Sequence, residues 1–299
     1  MAALAPRSLS VSIVSFNTRD ATLACIESVL ASRGPIAVDV TVVDNASTDG
    51  SADAIARRFP QVRLIRNATN RYFSAAHNQA LRTATGELVL ILNSDTELRP
   101  VVITQMVEFM DAHPEVGAAT CLYVDEQQQP LRPHLHNYWQ CRSLWHNFFA
   151  RHGWGLALYR LLGGRLDHAS GRDHHAGFSY VDVVSDTFLF ARGKALAQVD
   201  FYDERMLLYA TEDDLCRRLA QAGWRIAVNH NLTIVHRFSG SVRRVPPLSM
   251  RRIYRNDSIY FYRKHGTRLE RLAARPLLHL AYLVEAAALK LGYRMRFRG

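Results

Sequence analysis

The segment VLILNSDTELRP, residues 89–100, extends an apolar run that begins at Leu88 and stops abruptly at Asn-Ser-Asp. Five consecutive apolar residues suit a strand covered on both faces, the kind that builds parallel sheets. An acid just beyond such a strand lies at the carboxyl edge of the sheet, where doubly wound folds bind ligands. Asp95 or Thr96 has a bland reading as a turn former or helix cap ahead of Pro100. Position favours a different one. A carboxylate here suits Mg²⁺ or Mn²⁺, cations that take one or two carboxylates together with substrate phosphates.

Upstream, short β-branched runs at 9–16, 38–44 and 62–66 alternate with helical patterns at 22–31, 51–59 and 74–84, and 88–92 closes the series. This alternation predicts an α/β fold, a Rossmann-like, mostly parallel sheet flanked by helices. Asn17, Asp44, Asn45 and Asp95 then all fall beyond strand ends. Downstream, the polar, Pro-containing and aromatic stretch 125–177 reads as an inserted subdomain with loop ends. SYVDVVSDTFLFAR (179–192) reads as one extended run. A helix from Leu207 or later through Ala222, ended by Gly223, and a strand over 225–236 follow.

The chain has 299 residues, 48% of them hydrophobic, enough for a full core. A formal charge of +10 points to an anionic partner. The excess is uneven: residues 237–299 hold 15 Lys and Arg against Asp257, Glu270 and Glu285. No nucleic-acid-reading motif accompanies it, so lipid or phosphate is the expected counterpart. Cys25, Cys121, Cys141 and Cys216 are dispersed, with no pair at zinc or disulfide spacing, which suits a reducing cytoplasm. There is no secretory signal pattern. The most membrane-like stretch, 277–291, is interrupted by His279, Glu285 and Lys290 and is short for a span. With Arg294, Arg296 and Arg298 behind it, the tail suits either a helix lying in an anionic membrane interface or a terminal helix packed on the domain.

Three further constellations stand out. VVDNASTDGS (42–51) offers acceptors and donors for a base or ribose edge at Asp44 and Asn45, and equally the ordinary chemistry of a βα turn. YATEDDLCRRLAQAGW (209–224) crowds Glu212, Asp213 and Asp214 at a helix start, where the dipole favours acids and mutual repulsion raises at least one pKa, a property useful in a general base. Neighbours on a helix point about 100° apart, so only one of Glu212 and Asp213 faces a given reacting atom. His236 ends the last apolar strand as a metal or diphosphate contact. His174 and His175 lack a second ligand pair and read as a solvated loop.

Taken in order, VSIVSFNTRD, VVDNASTDGS, LIRNATNRYFSAAHNQAL, LILNSDTELRP, FYDERMLLYATEDDLCRRLAQAGW and IVHRFSGS resemble the inverting family 2 glycosyltransferases of GT-A fold, particularly bacterial rhamnosyltransferase-like members. The resemblance covers roughly residues 10–265. It implies a catalytic domain over 1–267, with a nucleotide-sugar half (9–120), an inserted helical segment (121–178) and an acceptor half (179–267), followed by a basic helical tail (268–299). It implies that Ser15, Asn17, Asp44 and Asn45 line a nucleoside pocket, and that Asn70, Asn78, Asn93 and Ser94 sit near the nucleotide-sugar. Asp95 would be the surviving acid of a D-x-D metal motif, with Asn93 in the first position and His236 beside it. The catalytic base is Glu212 when counted back from Ala-Gly-Trp, or Asp213 when the letters Glu-Asp are read literally. Tyr72 and Ser185-Asp186-Thr187 depart from the family pattern, the latter near the expected acceptor face.

The implied reaction moves a sugar, rhamnose first, from a dTDP- or UDP-sugar to a glycan or lipid-diphosphate-linked acceptor with inversion, in polysaccharide biosynthesis. The setting would be cytoplasmic, peripheral on the inner face of the membrane. A noncatalytic sugar-nucleotide or glycan-binding protein on the same fold is the alternative. A processive synthase is disfavoured by the absence of several spans and of a Q-x-x-R-W signature.

Overall fold

The computed structural model describes residues 8–131, 138–139, 143–145, 148, 173–237 and 247–290. Its first half runs β1 (Ser8–Ser15), α1 (Arg19–Ser32), β2 (Ala37–Asp44), α2 (Ser51–Arg58), β3 (Arg63–Arg66), α3 (Ser74–Leu81) and β4 (Leu88–Asn93). These are the elements expected from the alternation, with ends shifted by a few residues. β5 (Thr96–Glu97), α4 (Val102–Ala112) and β6 (Val116–Val124) follow, and then β7 (Tyr138–Trp139), β8 (Asp173–His175), β9 (Phe178–Tyr180), β10 (Val183–Val184) and β11 (Phe188–Arg192). The chain continues through α5 (Gly193–Gln198), α6 (Thr211–Gln221), β12 (Arg225–His236), α7 (Pro247–His265) and α8 (Arg268–Lys290).

The main sheet has the order β3-β2-β1-β4-β11-β6-β12-β9-β8, with β5 paired on β12. β3, β2, β1 and β4 are mutually parallel. β11 then enters antiparallel to both β4 and β6, and β12 returns parallel to β6. The apolar run that opened the sequence reading is explained by β4's central place. Leu88, Leu90 and Leu92 join the core on one face, while Val89 and Ile91 join the core on the other. A strand buried on both sides has no polar face, so its sequence cannot alternate.

Two expectations are corrected. Residues 179–192 are not one strand: they contribute to β9, β10 and β11, and β10 pairs with β7 in a separate two-stranded sheet. The break between β10 and β11 is a polar turn in which the Thr187 amide and hydroxyl both bond Ser185 Oγ. His174 and His175 are not in a loop, because their backbone pairs with Ser179 and Phe178 as β8. The stretch read as an insert also begins and ends inside the main sheet, at β6 and at β8 and β9. Most of its middle, together with Arg294, Arg296 and Arg298 of the tail, lies outside the described residues.

α6 stops where expected. Gly223 takes φ +93°, the Trp224 amide donates to Leu219 O at 3.0 Å and the Gly223 amide to Ala220 O at 3.1 Å. This is the paired closure that a glycine in the left-handed region allows at a helix end. α8 is longer than the apolar stretch read from sequence: 23 residues, long and apolar enough to cross a membrane by length and composition alone. One stripe of it, Glu270, Ala274, Leu278, Ala281 and Glu285, is buried, and Ala274 and Leu278 pack with Phe261 and Tyr262 of α7.

Leu90 is fully buried at the centre of the sheet. Truncating such a side chain removes its transfer energy and leaves a cavity, so Leu90→Ala should lower the unfolding free energy by about 2–5 kcal/mol in a urea titration.

Candidate active site

The carboxyl ends of β1, β2 and β4 carry a dense polar network. Asn17 has φ +54°, and its Oδ1 accepts from the Thr48 amide at 2.7 Å while its own amide donates to Ser47 Oγ at 2.9 Å. The turn after β1 is thereby tied to the turn after β2. Asp44 is buried; its Oδ2 accepts from the Ser47 amide at 3.0 Å, and its Oδ1 has no hydrogen-bond partner among the described residues. A buried acceptor left open is costly unless something donates to it. A base or ribose edge supplies such donors.

Other members of the expected pocket are held inside the fold. Ser15 is buried and bonds Thr22 Oγ1 at 3.0 Å, and Ser94 bonds Thr18 Oγ1 at 3.0 Å, so both belong to a hydroxyl cluster against α1. Asn45 clasps the loop that follows β3, donating to Tyr72 O at 2.8 Å and accepting from Asn67 Nδ2 at 2.9 Å and the Arg71 amide at 3.2 Å. Asn70 accepts from the Tyr72 amide at 2.8 Å, and Tyr72 itself sits at φ +60°. Asn78 is fully buried. It donates to Tyr202 O and Glu204 Oε1 and accepts from the Tyr202 amide, which fastens α3 to the segment leading into α6.

Asp95 and His236 are brought together by backbone pairing. β5 pairs antiparallel with the end of β12, setting Thr96 opposite His236, and the Arg237 amide donates to Asp95 O at 2.9 Å. Asp95 Oδ1 then lies 3.3 Å from His236 Nε2. One partly exposed carboxylate and one buried imidazole fit a hard or borderline divalent cation that draws its remaining ligands from diphosphate and water. Among the described residues no cluster of three or more His, Cys, Asp or Glu forms a closed metal cage.

From this edge a chain of contacts leads to α6. Asn93 donates its amide to Thr187 O at 2.9 Å and its Nδ2 to Thr187 Oγ1 at 3.2 Å. The adjacent Asp186 is buried and accepts from Thr211 Oγ1 at 2.9 Å, and Glu212 Oε2 lies 2.9 Å from the same hydroxyl. The three consecutive acids therefore meet three environments. Burial, then the charges of Asp186 and Asp213, push the Glu212 carboxyl well above its ordinary value. Asp213 accepts from the Trp139 indole at 2.9 Å. Burial alone would raise Asp214 too, but His265, Arg218 and Lys264 hold it below the usual carboxylate range. Burial also raises Asp186, to about 7.

Sequence reading missed the supports of this arrangement. Asp257 of α7 accepts from the amides of Leu207, Leu208 and Tyr209 at 3.1, 2.9 and 2.9 Å, fixing the approach to α6. Thr18, Thr22 and Glu204 were also passed over. Each is an ordinary polar residue whose partner lies on another element, and no local pattern marks it.

A sheet with its polar edge at the ends of β1, β2 and β4, an acid beyond β4 and an acid-bearing helix joined to that edge through Asn93, Thr187, Asp186 and Thr211 is an arrangement of GT-A type. Residues 10–181, more than half of the chain, match the family described as Glycosyl transferase family 2. The chain belongs to that family and is a glycosyltransferase. It is 25% identical over 259 residues to the N-acetylglucosaminyl-diphospho-decaprenol L-rhamnosyltransferase of Mycobacterium tuberculosis, covering 79% of this chain and 78% of that one. In fold it is similar to the mannosyltransferase PcManGT from Pyrobaculum calidifontis in complex with GDP-Man and Mn²⁺ (TM-score 0.57, 19% identity, 95% of this chain and 78% of that one). S. aureus TarS 1–349 in complex with UDP is similar also (TM-score 0.54, 17% identity, 91% and 69%).

The raised carboxyls carry a stability consequence with a definite sign. Unfolded Asp and Glu titrate near 4, whereas the folded chain keeps a proton on Asp186 up to about 7. The folded state thus binds more protons across that interval, and its stability falls as pH rises through it. Asp214, held low, works in the opposite sense, and its contribution is lost only as pH falls through its folded value. The Tm of the wild type should therefore decline relative to that of Asp186→Asn as pH is raised from about 5 to about 8.

Proposed function

We propose that the protein transfers a sugar, with L-rhamnose the first expectation, from a nucleotide diphosphate sugar to a lipid-diphosphate-linked acceptor, inverting the anomeric centre. The observation that carries this reading is the unbroken path Asn93–Thr187, Asp186–Thr211–Glu212, which joins the Asp95 edge to the carboxyls of α6. The acceptor class is suggested by the relative from M. tuberculosis, whose name specifies a diphospho-decaprenol substrate and L-rhamnose. The donor is a dTDP- or UDP-sugar in this reading.

Asp44, with its open Oδ1, receives donors from the nucleoside. Asp95 and His236 would hold Mg²⁺ or Mn²⁺ on the diphosphate, and such a cation stabilises the charge that develops on a departing phosphate. Glu212 takes the proton of the acceptor hydroxyl, whose oxygen attacks the anomeric carbon as the bond to phosphate breaks. Glu212 is preferred to Asp213 because Asp213 already accepts from the Trp139 indole. Burial raises the affinity of Glu212 for a proton above that of an ordinary glutamate, as a general base requires.

Nucleotides and nucleotide-sugars, with and without Mn²⁺ or Mg²⁺, should raise the Tm of the wild type selectively, since a ligand at 100 times its Kd adds roughly 2.7 kcal/mol. The metal-dependent part should vanish in Asp95→Ala. Glu212→Gln should keep donor binding and lose about 10²–10⁴-fold in turnover. Absence of any nucleotide shift would overturn the donor-site reading of Asp44 and Asp95.

We infer as well that α8 rests on an anionic membrane that carries the acceptor. Both of its acids are turned inward: Glu285 pairs with Arg251, and Glu270 accepts from the Leu144 and Thr267 amides. The side away from α7 exposes Leu269, Leu272, Leu280, Leu283 and Val284. Arg268, Arg271 and Arg275 are exposed along its flank. An apolar ridge with a basic border is the pattern of an interfacial helix. Leu272→Glu combined with Leu280→Glu should abolish sedimentation with phosphatidylglycerol vesicles while leaving nucleotide-induced thermal shifts intact. Undiminished sedimentation would refute the membrane role.

A further inference from the structure

Thr211 Oγ1 stands 2.9 Å from a carboxyl oxygen of Asp186 and 2.9 Å from one of Glu212. A hydroxyl has one proton to give. It can donate to one of these oxygens, but the other contact is a hydrogen bond only when that carboxyl is protonated and donates to the hydroxyl. Two ionised carboxyls on one hydroxyl would leave an uncompensated oxygen–oxygen contact in a buried place, where like charges strongly resist joint ionisation.

Among the described residues no cation acts on Asp186 or Glu212 to relieve this. From α6 itself the pair faces Asp213, a third acid, and Cys216, whose thiol is pushed up first by burial and then by Asp213, Glu212 and Asp186. From the segment ahead of α6 it faces Tyr202, which is buried and whose hydroxyl has no hydrogen-bond partner among the described residues. Burial, followed by the charges of Asp186 and Glu212, raises that phenol well above its usual value. The Arg218 guanidinium acts on Tyr202, but its hydrogen bonds go to Asp214, Val199 O and Phe201 O. A buried, unbonded phenol beside the two carboxyls is a second sign that the cluster is built to meet a further polar group, as an acceptor hydroxyl or a water would be.

We propose that Asp186 is a positioning residue for the catalytic base, holding one proton with Glu212 through the Thr211 hydroxyl. In the competent arrangement Asp186 is the carboxylic acid and donates to Thr211 Oγ1, which donates to the Glu212 carboxylate. Glu212 is thereby aimed and kept ionised. In transfer, the acceptor O–H bond breaks and its proton forms a new O–H bond on Glu212. The acceptor oxygen bonds the anomeric carbon, and the electron pair of the broken sugar–phosphate bond leaves with the diphosphate. The proton on Asp186 stays in place and no other reactant is needed. The pair is then doubly protonated and returns one proton to solvent.

This proposal rests on Glu212 as base, and the test separates the two. Infrared difference titration of the full chain, without substrates, should show a carboxylic-acid C=O band at pH 7 that is lost in Asp186→Asn and in Glu212→Gln. The acid limb of kcat/KM should move toward high pH in Asp186→Asn, because an amide donates through Thr211 Oγ1 more weakly than a carboxylic acid and Glu212 is held ionised less firmly. Thr211→Val should lower kcat while Thr211→Ser restores it. A wild-type spectrum with no protonated carboxyl at pH 7 overturns the shared proton even if every variant fails to fold. An acid limb unmoved in Asp186→Asn overturns the link to catalysis. Failure of the base assignment reads differently: Glu212→Gln would keep full turnover whatever the infrared titration shows.

Discussion

Three carboxyl groups in successive residues cannot share a buried helix start unless each is answered differently. In this protein the answers come from three directions. Asp214 turns toward α7 and is neutralised by Lys264 and His265, with Arg218 from its own helix. Asp213 turns toward β7 and accepts a hydrogen bond from the Trp139 indole N–H. Glu212 is left with Thr211 and Asp186, neither of which brings positive charge. The helix is anchored by the acid that is satisfied, and the proposed chemistry falls to the acid that is not.

The parts of the molecule that frame α6 are arranged to make this separation rigid. Asp257 collects three consecutive backbone amides in front of the helix, and Asn78 fixes the segment from Tyr202 to Glu204 from the opposite side. Phe73, whose ring meets that of Tyr202 edge-on, donates its amide to Leu207 O and so joins the loop after β3 to the same approach. The donor edge is tied in turn through Asn45 to Tyr72 and through Asn93 to Thr187. Asparagine suits these posts because one side chain both donates and accepts, and each can bridge two backbone segments that lack regular pairing.

The N-terminal sheet was legible because its signal is local. Leu88 to Leu92 are apolar in succession, since β4 is covered on both faces, and the acid that ends the run stands where the strand ends. Strand β12 and the Gly223 stop were legible for the same reason. The run 179–192 was not, because extended residues in sequence give no notice of which sheet they join. Only the polar turn at Ser185–Thr187 separates β10 from β11, and that turn sets Asp186 against α6. The roles of Ser15, Asn45 and Asn78 were also out of reach: a polar residue at a strand end or within a helix looks the same whether it faces a ligand pocket or clasps a neighbouring segment.

By itself the sequence determined the alternation of strands and helices, the acids at the strand end and the helix start, and the basic balance of the tail. Each depends on residues near one another in the chain. The tertiary structure alone decided which of the three adjacent acids is neutralised, that β5 pairs with β12 to set Asp95 beside His236, and that both acids of α8 point inward. These outcomes depend on contacts between residues far apart in the chain, such as Thr211 with Asp186 or Glu285 with Arg251. The energy of a buried charge is set by whatever surrounds it in space, and a linear pattern does not encode those neighbours.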